Sequence, residues 1–351
     1  MKIELSGTGI NITFQSPDNE RILYAGLKST PELPYECATG TCGSCKAKVI
    51  EGSFEWAWSE APARANLKNS DDLLMCQCIA KSDLKLEVKS KLAKSPLPFT
   101  SAVWMDGKIK SVKRLAPGVM SLSIQLQHEI SFLPGQFMVI EFSDVQGGRA
   151  WSMTNFVPGL TDCVDFVIKM KPGGELSNLM FGPLGFDRLL DQSVRVFGPI
   201  GKAVFDDATP RDLVCIAGGT GIASMMSILD AFSKKKDSNN SVSLFFGVRT
   251  QEDVFFMDEL TQLVRDSAGS IRVVIAFSDK AGSADYIDAH EFIDFDQGFV
   301  HEVAMRQIDT WKTAQTRAYL AGPPPLVDGA LRALLLQAKL PASEILYDKF
   351  G

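Results

Sequence analysis

The cysteines are the most restrictive feature of this chain. Five of the seven lie in the first quarter of its 351 residues, and Cys37, Cys42 and Cys45 follow the spacing C-x4-C-x2-C. An odd number of cysteines in a reducing compartment favours metal ligation or catalysis over a disulfide framework. Gly40 and Gly43 let this loop fold tightly and turn backbone N–H groups toward sulfur. The segment therefore predicts a metal site.

The same spacing, followed by a more distant fourth cysteine, resembles the plant-type ferredoxins, which bind a [2Fe–2S] cluster. In that family the last cysteine precedes a Ser-Asp pair by six residues, and six residues before Ser82 is Cys76. Cys78 is then an extra thiol and the less favoured fourth ligand. Buried free cysteines and structural zinc are alternatives, although zinc prefers paired C-x2-C units. The resemblance implies four metal ligands: Cys37, Cys42, Cys45 and Cys76.

The chain is about two to three times as long as a usual domain, and its patterning divides it into three. Residues 1–92 contain five of the seven cysteines, and their resemblance implies a β-grasp ferredoxin domain. The proline-containing, aperiodic stretch 93–99 predicts a linker. Short strands separated by turns predict an antiparallel β-barrel over 100–206. Alternating strands, glycine turns and helices predict a Rossmann-like parallel sheet over 207–351. The expected fold class is a multidomain α+β and α/β chain.

Hydrophobic periodicity predicts the individual elements. The first domain has a hairpin, a short helix and two strands, at 2–15, about 19–29, 46–51 and 84–88. The barrel has predicted strands at 120–126, 137–142 and 163–169. The last domain has predicted strands at 213–217, 242–246, 271–277 and 318–321, and helices at 222–232, 254–265 and 326–338.

A flavin motif is predicted in the barrel. The tetrapeptide Arg149-Ala150-Trp151-Ser152 is short, but it follows Pro134-Gly135-Gln136-Phe137 and precedes a strand and a glycine turn. Features in this order resemble the ferredoxin-reductase flavoproteins, whose motif is R-x-Y-S, with Trp151 here in place of the tyrosine. A core Trp beside a surface Arg is the alternative.

The resemblance implies how FAD would be bound. The planar fork of Arg149 suits a phosphate, Trp151 would stack on the isoalloxazine, and Ser152 would act near the flavin N5. The start of the helix after the glycine turn suits the pyrophosphate. The further expected contacts are Lys169, Gly174 and Ser177.

Three motifs at the ends of predicted parallel strands suggest a nicotinamide site, because open α/β sheets bind ligands there. The first is the glycine turn Gly219-Thr220-Gly221, the second ends at Arg249, and the third contains Gly322-Pro323. The third resembles the family's C-G-P-P, with Ala321 in place of the cysteine. Arg249 is followed by Glu252 and Asp253, which favours NADH over NADPH because carboxylates repel a 2′-phosphate.

The C-terminal sequence Tyr347-Asp348-Lys349-Phe350 resembles the family's acidic-x-aromatic tail. In that interpretation Phe350 covers the flavin face until the nicotinamide displaces it, and it acts beside Ser152 in catalysis. A frayed terminus is the alternative.

Charge and hydropathy exclude several functions. The net charge of -6 lacks the basic footprint of a nucleic-acid-binding protein. The first residues lack the apolar core of a secretory signal, and the sequence has no run of about 20 apolar residues, the length that spans a bilayer. We expect a cytoplasmic, monomeric protein that binds neither nucleic acid nor membrane.

Taken over its whole length, the chain resembles the reductase components of bacterial multicomponent aromatic-ring or hydrocarbon oxygenases. That resemblance implies hydride transfer from NADH to FAD, then single-electron transfer through a [2Fe–2S] cluster to a terminal oxygenase or a Rieske-type ferredoxin. One alternative is the same redox chain serving a sugar-deoxygenation enzyme. The other is a redox-sensing or electron-storage protein without turnover.

Overall fold

The computed structural model describes residues 1–94, 100–183, 185–235 and 239–350. The first domain is a five-stranded sheet in the order β2-β1-β7-β3-β5, with a small separate β4-β6 pair. Alternate residues of β1 point inward, and every residue of α1 is buried, so the helix fills the core of the domain. The elements are β1 Lys2–Gly9, β2 Ile12–Gln15, α1 Ile22–Leu27, β3 Lys46–Glu51, β4 Phe54–Trp56, β5 Asp72–Leu74, β6 Cys78–Ala80 and β7 Leu84–Leu92.

The second domain is a six-stranded antiparallel sheet in the order β11-β10-β13-β8-β9-β12. The sheet curls into a barrel, since an antiparallel bridge between Met153 and Phe166 brings its two edges together. Its elements are β8 Val103–Ala116, β9 Val119–Ile130, β10 Phe137–Phe142, β11 Arg149–Ser152, β12 Thr161–Lys169, α2 Glu175–Phe181, α3 Gly185–Leu189 and β13 Ser193–Ile200.

The third domain is a parallel six-stranded sheet in the order β17-β16-β15-β14-β18-β19. Each of its central strands is buried except for one half-buried residue, as is typical of parallel sheets covered on both faces. Its elements are β14 Asp212–Gly218, α4 Ile222–Ser233, β15 Val242–Val248, α5 Met257–Asp266, β16 Ile271–Phe277, α6 Ala284–Asp288, β17 Asp294–Gln297, α7 Val300–Arg306, β18 Thr316–Gly322, α8 Pro324–Leu336 and β19 Ile345–Lys349.

These elements confirm the predicted fold class, and β3, β10 and β16 have the predicted bounds. Helix α5 begins at Met257 rather than at 254, because a short 3-10 turn intervenes and Phe256 takes a left-handed backbone conformation, with φ of 64°. The alternative of a frayed terminus is wrong, since the tail forms β19 and pairs with β18. Most of the predicted linker, residues 95–99, lies outside the described residues, and the domain boundaries stay predictions.

The domains share apolar cores. Phe137, Val139, Phe197 and Ile200 of the barrel belong to the same buried cluster as the core of the first domain. A second cluster joins residues of β9 and β12 to the face of the parallel sheet that α4 covers. Among the helices that the structure describes, none is long and apolar enough to cross a membrane.

Candidate functional site

The cysteine loop, residues 36–45, lies between α1 and β3 and contributes three sulfur atoms, and Cys76, between β5 and β6, contributes a fourth, so that the sulfurs form two pairs. The Sγ atoms of Cys45 and Cys76 are 3.2 Å apart, and the thiol of Cys42 is hydrogen-bonded to the sulfur of Cys37. Cys42 is exposed, whereas the other three are buried. In the described chain, no group of three or more potential ligands surrounds the position of a single ion. Two thiolates for each of two irons is the donor set of a [2Fe–2S] cluster, and the residues present fit that group.

Backbone conformation shapes the loop around these sulfurs. Ala38, Gly40 and Gly43 have positive φ of 57°, 85° and 81°, and the turns they make direct N–H groups toward sulfur. The N–H groups of Thr39 and Cys42 donate to Cys37 Sγ, each at 3.4 Å. Such bonds stabilise a thiolate ligand and tune a cluster.

Gly40 is also required by packing. A Cβ atom added there would lie 2.8 Å from Cγ of Gln77, which is fully buried. Neither polar atom of the Gln77 side chain has a hydrogen-bond partner. A buried amide without a partner is costly, and this one lies beside the loop that would enclose the cluster.

The thiols differ in acidity. Hydrogen bonds from the Cys42 thiol and from backbone N–H groups lower the pKa of Cys37 to about 4. The same contact, with burial, raises the pKa of Cys42. Burial and the neighbouring Cys45 thiol raise the pKa of Cys76 well above its ordinary value, so a metal would have to displace its proton. Burial raises the pKa of Cys78 to about 12; this residue lies in β6 opposite Trp56.

The expected flavin motif forms β11, which pairs with β10. Ser152 is buried opposite Phe137, and Trp151 lies opposite Met138. The half-buried Trp151 ring packs 6.1 Å from the ring centre of Phe142. Arg149 turns back on the preceding loop, where it donates to the carbonyl oxygens of Gly147 and Gly148, and burial lowers its pKa.

The remaining flavin candidates lie beyond β12. Lys169 ends that strand, and Gly174 immediately precedes α2. The hydroxyl of Ser177 accepts a hydrogen bond from the Lys171 N–H at 2.8 Å, and the Gly174 N–H donates to the Lys171 carbonyl at 3.0 Å. These bonds hold the glycine turn against the first turn of the helix.

The nicotinamide candidates lie together at the carboxyl end of the parallel sheet, because the central strands β15, β14 and β18 are adjacent and parallel. Gly219, Thr220 and Gly221 form a tight 3-10 turn after β14. A Cβ at Gly221 would be 2.2 Å from the carbonyl oxygen of Ala321, so only glycine fits there. Gly322 ends β18, and Pro323 precedes α8.

The side chain of Arg249 follows β15 and already has a partner. Its Nε lies 3.2 Å from Asp253 Oδ2, and the Arg249 side chain is 65% exposed. The ion pair raises the pKa of Arg249. Asp253 therefore pairs with Arg249 beyond the carboxyl end of β15, where the sequence predicts nucleotide contacts.

Phe350 connects the predicted nicotinamide site with the predicted flavin motif. Its N–H donates to the carbonyl oxygen of Gly322 at 3.2 Å, and its ring meets that of Phe137 edge-on at 5.6 Å. Phe137 is the strand partner of Ser152. Phe350 thus lies between Gly322, at the end of β18, and Phe137, beside the predicted flavin motif.

A buried acid, Asp348, lies two residues before Phe350, and no local sequence pattern predicts its burial. Asp348 is 5% exposed, and its Oδ2 has no hydrogen-bond partner. Burial, reinforced by Glu36, raises its pKa to about 7. It lines a cavity of about 330 Å³ together with Tyr35, Ser44 and Phe137, so the cavity reaches from the cysteine loop to β10.

The geometry defines a class: an oxidoreductase with an iron–sulfur domain, a flavin domain and a nicotinamide domain in one chain. Comparison with known families agrees. The chain matches the 2Fe-2S iron-sulfur cluster binding domain over residues 5–81, the oxidoreductase FAD-binding domain over 106–205 and the oxidoreductase NAD-binding domain over 215–332.

Relatives that match over nearly the whole chain narrow the class. The ferredoxin–NAD(+) reductase component of the alkene monooxygenase system of Xanthobacter autotrophicus is 30% identical, over 96% of this chain and 98% of that protein. The xylene/toluene monooxygenase electron transfer component of Pseudomonas putida is also 30% identical, over 93% and 87%. The solved ferredoxin reductase in carbazole 1,9a-dioxygenase is 29% identical, with a TM-score of 0.77 over 100% and 99%. The chain belongs to this family of ferredoxin–NAD(P)+ reductase components of oxygenase systems.

Proposed function

We propose that this protein passes electrons from NADH through FAD and its [2Fe–2S] centre to the oxygenase component, or to a Rieske-type ferredoxin, of a hydrocarbon or aromatic-ring oxygenase. The observation that carries the proposal is the position of Phe350. It contacts Gly322 of the predicted nicotinamide site and Phe137, the strand partner of Ser152 in the predicted flavin motif. The bound groups supply the redox chemistry: the flavin takes two electrons as a hydride and the cluster takes one at a time.

The protein's own residues bind and orient these groups. Cys37, Cys42, Cys45 and Cys76 would hold the irons. Arg149 would pair with a flavin phosphate, and Trp151 would stack on the ring system. Ser152 would donate its hydroxyl proton to a hydrogen bond near N5.

A second set of residues would bind FAD and the nicotinamide nucleotide. Lys169, Gly174 and Ser177 would support the flavin pyrophosphate. The turn Gly219-Thr220-Gly221 would let the NADH phosphates approach the start of α4, a helix of 12 residues. Gly322-Pro323 would receive the nicotinamide end, and Phe350 would exclude water from the flavin face until the nicotinamide takes its place.

The experiment is anaerobic reduction of the purified full-length protein with NADH. We expect the flavin absorbance to bleach and an electron paramagnetic resonance signal of a reduced [2Fe–2S] cluster to appear. A one-electron acceptor should then sustain NADH oxidation. Protein that holds zinc and no labile sulfide, or a cluster that NADH leaves oxidised, would contradict the proposal.

The acceptor is tested separately. Prereduced protein is mixed with a purified oxygenase component of a multicomponent system, and reoxidation of the cluster is followed without oxygen. We expect reoxidation at a rate that rises with the acceptor concentration. Reoxidation by a sugar-deoxygenation enzyme and not by oxygenase components or Rieske-type ferredoxins would contradict the assigned partner and leave the electron path intact.

A further inference from the structure

Two buried tyrosines attach the cysteine loop to the flavin barrel. Tyr24 is 1% exposed and Tyr35 is 7% exposed. The Tyr24 hydroxyl donates to the carbonyl oxygen of Ala38, inside the loop, at 2.9 Å. The Tyr35 hydroxyl accepts a hydrogen bond from the backbone N–H of Gly201, at the end of β13, at 3.0 Å. Tyr24 therefore makes its hydrogen bond within the first domain and its ring contacts with the barrel, whereas both the hydrogen bond and the ring contact of Tyr35 are with the barrel.

The ring contacts fall on three neighbouring strands of the barrel, β10, β13 and β8. The Tyr24 ring lies 4.6 Å from that of Phe197 and 5.3 Å from that of Trp104. The Tyr35 ring lies 6.5 Å from that of Phe137. Phe197 and Phe137 belong to β13 and β10, which pair with each other. The loop is thus held against paired strands of the sheet.

Lys202 strengthens the attachment at Tyr35. Its Nζ donates to the carbonyl oxygen of Leu33 at 2.8 Å and lies 4.9 Å from the centre of the Tyr35 ring. A cation over an aromatic face is attracted to it. The segment that leads into the cysteine loop is therefore bound at a carbonyl, a ring and a hydroxyl.

The position of Tyr35 relates this contact to electron transfer. Only Glu36 separates Tyr35 from Cys37, and the ring of Phe137 touches both Tyr35 and Phe350. Ser44 and Phe137 line the same cavity. A displacement of Tyr35 would therefore move the cysteine loop relative to β10, the strand that pairs with the predicted flavin motif in β11.

We propose that Tyr35, assisted by Tyr24, is the positioning residue that fixes the cysteine loop on the flavin domain for internal electron transfer. In the step concerned, one electron leaves the reduced flavin, which is oxidised by one electron, and enters the cluster, which is reduced by one. The inference rests on the proposed function. A site of this kind works only when its supporting residues hold the geometry to a fraction of an ångström.

The test is Tyr35→Phe in the full-length holoprotein. This change keeps the ring and leaves the Gly201 N–H without its buried acceptor. A loss of this kind changes an equilibrium by a factor of roughly 5 to 30, and we expect hydrogen exchange in residues 33–45 to accelerate to that extent. In single-turnover experiments the electron should reach the cluster more slowly, while NADH reduces the flavin at the wild-type rate. Tyr24→Phe should act in the same direction.

Tyr286→Phe is the matched control, because Tyr286 packs on Phe295 in the third domain, and it should change neither measurement. Should Tyr35→Phe lose its cluster, Lys202→Met probes the same contact from the barrel side and should reproduce the faster exchange. Wild-type exchange and a wild-type internal rate in Tyr35→Phe, or in Lys202→Met where that variant replaces it, would overturn the inference. A wild-type protein whose cluster NADH does not reduce would instead overturn the proposed function.

Discussion

Replacing Asp348 by Asn should remove a pH dependence of stability that the fold imposes. The carboxyl lies in β19, opposite Ala321 of β18, and is almost completely buried. Burial raises its pKa from 3.8 to about 7, and Glu36 adds to the shift. The amide of Asn has nearly the same shape and does not ionise, so the comparison isolates the charge.

The sign follows from proton binding. Between pH 3.8 and about 7 the folded protein keeps a proton on Asp348 that the unfolded chain has lost. The free energy of unfolding therefore falls as the pH rises through this window. At about 1.4 kcal/mol per pKa unit, the full loss is about 4 kcal/mol, of which about 3 kcal/mol falls between pH 5 and pH 8.

Urea unfolding at several pH values, followed by circular dichroism, measures the effect. We expect the difference in free energy of unfolding between wild type and Asp348→Asn to change by about 3 kcal/mol from pH 5 to pH 8, with the variant gaining at high pH. Asp328→Asn is the matched control. Asp328 pairs with Lys349, the residue after Asp348, but the Asp328 side chain is 61% exposed, and an exposed ion pair contributes little to stability. A difference that is constant with pH would refute the reasoning, because Asp348 would then ionise at its ordinary pKa.

Three further predictions concern cofactor binding. Cys76→Ser should abolish iron and labile sulfide and Cys78→Ser should retain both, since Cys76 Sγ lies 3.2 Å from Cys45 Sγ; the reverse result would assign the fourth ligand to Cys78. Trp151→Ala should weaken flavin retention about fivefold in equilibrium dialysis, because it removes an aromatic stacking partner; unchanged retention and spectrum would make Trp151 a core residue only. The ratio of kcat/KM should favour NADH over NADPH, and Asp253→Asn should move that ratio toward NADPH by roughly two- to fivefold by releasing Arg249; a wild-type ratio near one would show that Arg249 pairs with the 2′-phosphate despite Asp253.

The elements that sequence predicts best are those with a strong local signal. Strands β10 and β16 are buried on both faces, so each is an apolar run interrupted by a single charged residue, Glu141 or Arg272, and begins and ends with an apolar residue. Helix α5 begins three residues later than the sequence predicts, because Val254 and Phe255 extend its apolar pattern without being helical. In the structure the Val254 N–H bonds to the Gln251 carbonyl oxygen and closes a 3-10 turn. Phe256 then has a left-handed backbone conformation, so the helix begins only at Met257.

Contacts between domains have no such local signal. The cysteine spacing indicates four ligands, yet nothing near Tyr35 in the sequence indicates its bond to Gly201, 166 residues away. The burial of Asp348 likewise depends on β19 lying beside β18 and under the first domain. The tail motif predicts a role for Phe350, whereas the environment of Asp348, two residues earlier, is set by tertiary packing alone.

The three domains meet at Phe137. Its backbone pairs with Ser152 in the flavin motif, and its ring touches Tyr35 of the first domain and Phe350 at the end of the third. Removing that ring would open a cavity between all three domains, so its effects on flavin, cluster and nicotinamide could not be separated. The Tyr35 hydroxyl is the better point of attack, because its loss breaks one bond to one domain. If flavin reduction is unchanged while the cluster receives its electron late, the fault lies between Tyr35 and the barrel, because the contact of Phe350 with Gly322 is untouched.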